Sequence, residues 1–190
     1  ARTDLEIVPV IIPAASFERL SEMASRLADA LASSMKARGL ELGRDVAIVI
    51  SADATHYGED FKFVPYGAGG REAFDKSVAD DRALMRETLG GLVSAEKARA
   101  FYATVVDPAN PDQYRRTWCG RFSVTLGTLL VGEIAKRMGL AAPKTVPVAL
   151  GVSVDAPELA VRDVGLGPTA PANLYHFVMH PALAFTSSSR

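Results

Sequence analysis

Three side chains in this sequence have types and spacing suited to chemistry: Asp53, His56 and Cys119. Asp53 and His56 stand three apart in Ser51-Ala52-Asp53-Ala54-Thr55-His56-Tyr57-Gly58. On an extended strand, residues three apart face opposite sides; in a turn or a first helical turn they face the same way. An acid and an imidazole aimed together can move a proton or hold a metal. The plainer alternative is a loop with a capping aspartate and a surface histidine. Cys119 lies in Thr117-Trp118-Cys119-Gly120-Arg121, at the expected start of a long helix. Unpaired N–H groups and the helix dipole favour an anion there, a thiolate included. Arg115, Arg116 and Arg121 add positive charge nearby. The alternative is a lone cysteine serving as a small buried residue. His176 and His180 are four apart and share one face of either a helix or a strand. They read as a metal pair or, in the aromatic run Tyr175-His176-Phe177, as structural or pocket-lining residues.

The elements that would position these groups follow from periodicity. Residues 45–51 form a short apolar run rich in β-branched side chains, read as a strand buried on both faces, with the polar residues arriving at its carboxyl end. Residues 5–12 read as another strand, with Pro9 suggesting an edge or a bulge. Between them Ser16 is a candidate N-cap, and Leu20, Ala24, Leu27, Leu31 and Met35 recur at helical spacing as far as Gly39. This order predicts a right-handed parallel crossover. Helices are expected over 73–89, 94–106 and 120–138, and strands over 145–154 and 173–185. The stretch 155–171 reads as a loop and the chain end as frayed. Gly67, Gly69 and Gly70 could cradle a phosphate, but no strand leads into them and no Gly-Lys-Ser/Thr closes them, so a loop is the better reading.

Composition bounds the function. The 190 residues suit one domain, or part of a larger one; 48% are hydrophobic and the net charge is −1. That balance argues against a nucleic-acid footprint or a membrane-surface patch. One cysteine excludes an intrachain disulfide and, with no signal peptide or apolar span of ~20 residues, predicts a cytoplasmic protein.

Residues 51–58 resemble the Ser-x-Asp-x-x-His-(Tyr/Trp)-Gly signature of the Memo-like family, which includes the AmmeMemoRadiSam system protein B group. Residues 117–121 resemble that family's Thr-x-Cys-Gly-Arg motif. The order of the two motifs and their separation also fit, and the resemblance covers roughly residues 5–185. It implies a fold similar to class III extradiol dioxygenases: an α/β protein of three layers, α/β/α, around a mixed, mostly parallel sheet. It also implies that His56 is the third of three histidines at a mononuclear metal site, iron ahead of copper or zinc. Asp53 would line or ligate the site and Cys119 would be its thiol, making these three the catalytic and metal residues. Arg121, Tyr57 and His176 would line the pocket or receive an anion. The family's other two histidines belong to an N-terminal half, so residues 1–190 are expected to be the C-terminal half of one domain. The partner expected is that half or another subunit, beside a small-molecule or peptide ligand. The function implied is a metal-dependent redox or dioxygenase-like enzyme. The alternatives are a pocket that binds a peptide or small anion without turnover, and a subunit of a modification system linked to a radical enzyme.

Overall fold

The computed structural model describes residues 5–155 and 172–186. Four helices provide most of its core. α1 (Phe17–Arg38) begins at Ser16, whose hydroxyl accepts the Arg19 N–H at 3.2 Å. It buries Phe17, Leu20, Ala24, Ala28 and Met35, three to seven apart along one face, and packs on α4 (Arg121–Arg137). α2 (Arg71–Leu84) runs on into a π-helical turn, Met85–Leu89. α3 (Ala95–Val105) is capped by Ser94. The helices therefore fall close to where periodicity and capping residues put them. None among the described residues is long and apolar enough to cross a membrane.

The sheet corrects the expected fold. It is not a mostly parallel layer between two layers of helices; every strand pairing within the sheets is antiparallel. β1 (His56–Tyr57), β6 (Phe177–Thr186), β5 (Lys144–Val152) and β2 (Gly91–Leu92) lie side by side in that order. β3 (Val106–Asp107) and β4 (Asn110–Tyr114) form a separate pair. The strands expected over 145–154 and 173–185 meet as the β5–β6 ladder, which continues through Pro181 opposite Leu150. Beyond Asp155, the loop expected over 155–171 lies outside the described residues, as does the chain end after Thr186.

The segments 5–12 and 45–51 are not strands, and the parallel crossover through α1 does not form. Both stay outside helix and sheet, with only an isolated bridge, Leu42 to Val46, at the edge of the second. The physical reason is that β-branched side chains favour extended backbone, whereas a ladder also needs a neighbour offering N–H and C=O groups. Val46, Ile48 and Ile50 are half-buried while Ala47 and Val49 are exposed, so the segment keeps a strand's alternation with one face on the core. Ile50 lies against α4 at Gly127, where a Cβ would stand 2.4 Å from Ile50 Cδ1; glycine is what permits that approach. In the 5–12 segment Leu5, Ile7, Val8, Val10 and Ile11 are all exposed.

Candidate functional site

Three segments distant in sequence meet in one antiparallel ladder. Thr55 bridges Trp118, and the His56 N–H donates to the Thr117 carbonyl at 3.2 Å. On the other side His56 is paired with Val178 and Tyr57 with Phe177. The Ala54 N–H donates to the Met179 carbonyl at 2.8 Å, and the Met179 N–H to the Thr55 carbonyl at 3.0 Å. The Asp-x-x-His motif is thus the middle rung, the Thr-x-Cys-Gly-Arg motif one neighbour and the start of β6 the other.

This register gathers the histidines. Paired residues share a face of a ladder, and so do residues two apart on one strand. His56 faces Val178, so His176 and His180, on either side of Val178, lie on the face of His56. These are all three histidines of the chain. Asp53 stands among them, with Oδ1 3.1 Å from His180 Nδ1 and Oδ2 3.6 Å from His56 Nε2. Phe61 fills the space between the other two rings. It meets His56 edge-on at 4.9 Å between centroids and stacks on His176 at 4.7 Å. His176 Nε2 also lies 3.8 Å from Asp60 Oδ2.

His56 has the least ordinary environment. Its Nε2 is buried and makes no hydrogen bond. Burial pushes the imidazole below its usual pKa of 6.5, and the Asp53 carboxylate only partly offsets this; His180 and His176 add small contributions in the same direction as burial. The result is an imidazole biased toward its neutral form, with a buried ring nitrogen 3.6 Å from a carboxylate oxygen.

Cys119 is exposed and directly precedes Gly120, the N-cap of α4. The Gly120 N–H donates to the Asp53 carbonyl at 3.2 Å, which ties the cysteine's backbone to the acid's. A Cβ at Gly120 would stand 2.1 Å from Ala52 Cβ and 3.0 Å from its Cα, so the two motifs touch through a contact only glycine allows. Arg121 opens α4 with its guanidinium 4.6 Å from the Phe122 ring centroid. Tyr57 is turned into the core: it is fully buried, stacks on Phe177 and donates its hydroxyl to the Gly67 carbonyl at 2.7 Å.

His180, read from the sequence with His176 as a metal pair or as a structural or pocket-lining residue, is held by Asp53. One residue joins the site that sequence reasoning did not place there. Asp81 of α2 lies beneath the ladder, fully buried, where it accepts from Thr55 and Trp118 together. Its signal was its position on the apolar face of a helix, seven residues after Phe74 and three before Leu84.

An apolar groove of about 660 Å³ opens beside the cluster. The bonds between the middle rung and β6 end at Ala54 and Met179. Beyond them the groove is lined by residues 46–50, residues 181–186 of β6, and Val124, Thr128 and Val131 of α4. Ala52 and Pro181, the chain neighbours of Asp53 and His180, line it as well.

Comparison with known proteins finds no matching family model and no matching curated protein.

Proposed function

We propose that this chain supplies part of a mononuclear metal centre in a redox or dioxygenase-like enzyme of the kind its two motifs resemble. The observation that carries the reading is His56: a buried Nε2 with no hydrogen bond shorter than its 3.6 Å approach to an Asp53 oxygen, on a ring that burial pushes toward the neutral form. A metal ligand must be a neutral imidazole with a free lone pair, and a neighbouring carboxylate can ligate or orient it. His56 and Asp53 would hold the metal, iron ahead of copper or zinc, with Cys119 beside them as a redox or supporting thiol. When bound, the metal would supply a site for oxygen or an oxygenated substrate.

The fit is partial. Among the described residues no three His, Cys, Asp or Glu side chains converge to hold an ion. In this reading the remaining ligands come from an N-terminal half or a second subunit. The groove supports that partner. Residues 47–50 lie outside helix and sheet, expose Ala47 and Val49, and give their backbone groups to no backbone partner among the described residues. Such an edge takes an added strand, and one seated here would end beside Asp53 and His180.

The test is a titration of the metal-free protein with Fe²⁺ under anaerobic conditions, read by the imidazole proton resonances. The reading predicts that the His56 signals broaden first and that Asp53→Asn weakens the effect. Uniform broadening of all three histidines would overturn it.

A further inference from the structure

We infer that Asp81 is a positioning residue whose carboxylate clasps the two motifs and fixes the rung that carries Asp53 and His56 against the rung that carries Cys119. The inference rests on reading those three residues as one site. Asp81 has no exposed side-chain surface. Its Oδ1 accepts the Thr55 hydroxyl at 2.8 Å and the Trp118 indole N–H at 3.0 Å, and its Oδ2 accepts the Thr55 backbone N–H at 3.1 Å. Thr55 is the residue before His56 and two after Asp53; Trp118 is the residue before Cys119. One carboxylate therefore bonds to both rungs that carry the candidate chemistry, next to each functional side chain and touching none of them.

A buried carboxylate is a poor choice for stability alone. Its desolvation is costly, and apolar side chains of similar volume often serve a core as well or better. Burial pushes the Asp81 carboxyl upward in pKa, while the bonds from Trp118 and Thr55 and the charge of Arg116, 3.6 Å away, work against that push. What the carboxylate provides, and an apolar residue could not, is direction. Its fixed acceptors accommodate the Thr55 hydroxyl, the Thr55 N–H and the indole N–H only when the two rungs stand in one register. Arg116 extends the same arrangement: it pairs through Nη2 with Asp80 at 3.0 Å and sits one residue before the Thr117 that bonds His56. The neighbouring rungs cannot slip without breaking bonds to a buried carboxyl group.

Trp118 is the sole tryptophan of the chain, so its emission reports on the clasp directly. The experiment uses metal-free protein and compares wild type with Asp81→Asn, Thr55→Val and Trp118→Phe, each checked for fold by circular dichroism. It reads the rate of Cys119 alkylation by iodoacetamide, the chemical shifts of the His56 ring protons and, where present, tryptophan emission. In Asp81→Asn all three should move, with the Cys119 rate changing roughly fivefold or more, the factor that one lost buried hydrogen bond represents. The effects should also cross: Thr55→Val changes the Cys119 rate, and Trp118→Phe moves the His56 resonances. If Asp81→Asn lowers the melting temperature but leaves the Cys119 rate and the His56 shifts at wild-type values, Asp81 is a stability residue and the inference fails. If Asp81→Asn does not fold, the crossed effects decide, and their absence overturns the inference. No metal enters these measurements, so a failure of metal binding would leave their outcome standing.

Discussion

Asp53 and His180, 127 residues apart in sequence, meet with 3.1 Å between Oδ1 and Nδ1 at the mouth of an apolar groove. Both side chains are about half exposed, 42% and 50%. An exposed pair of this kind contributes about 0–1 kcal/mol to stability. Chemical denaturation of Asp53→Ala and His180→Ala should accordingly show losses of about 1 kcal/mol or less. A loss several times larger in either variant would mark the pair as a structural tie.

His56 should make the protein acid-sensitive. Its folded-state pKa lies below the ordinary 6.5, so between those two values the unfolded chain binds more protons than the native one. Stability is therefore full above pH 6.5, falls as pH drops through that value, and levels off once pH passes the depressed folded-state pKa. Melting temperatures from pH 8 to pH 5 should decline more steeply for wild type than for His56→Asn. Parallel slopes would show that His56 is not held neutral.

Gly120→Ala should disturb the site more than its size suggests. The new Cβ would stand 2.1 Å from Ala52 Cβ and 3.0 Å from Ala52 Cα, and backbone cannot step aside as a side-chain end can. The expected cost is about 1–3 kcal/mol, together with an altered rate of Cys119 alkylation. An unchanged melting temperature and rate would mean that the two motifs are more loosely joined than the structure has them.

The groove predicts association. Val49 is 86% exposed on a segment whose backbone has no ladder partner among the described residues. Sedimentation velocity should show concentration-dependent self-association of the 190-residue chain, reduced by Val49→Lys. That substitution should change folding stability by no more than about 0.5 kcal/mol, because the side chain is on the surface. A monomer at all concentrations would argue against an open edge seeking a strand.

The helices were legible in the sequence because each carries its own information. The spacing from Leu20 to Met35 and the caps at Ser16 and Ser94 are local signals, and the structure uses them. The sheet was not legible in the same way. Val46 to Ile50 have the composition of a central strand, but a strand is a relation between segments, and its neighbour is not supplied by the described residues. β1 shows the converse. The strand itself is His56–Tyr57, too short a stretch for periodicity to announce, yet it lies in the candidate site. Asp53, His56 and Cys119 stood out by type and motif. Asp81 did not, because Asp80-Asp81-Arg82 reads as a solvated helix face, and only the spacing from Phe74 to Leu84 places Asp81 inward.

The most direct test of the proposed centre is elemental analysis of the protein purified under native conditions, with everything assembled on it, from the cells that make it. Wild type should carry one transition metal per chain, iron ahead of copper or zinc, and His56→Ala should carry at least about tenfold less, as loss of a ligand or its supporting partner does. Wild-type protein without metal, or equal metal in both proteins, would contradict the assignment of His56 as a ligand.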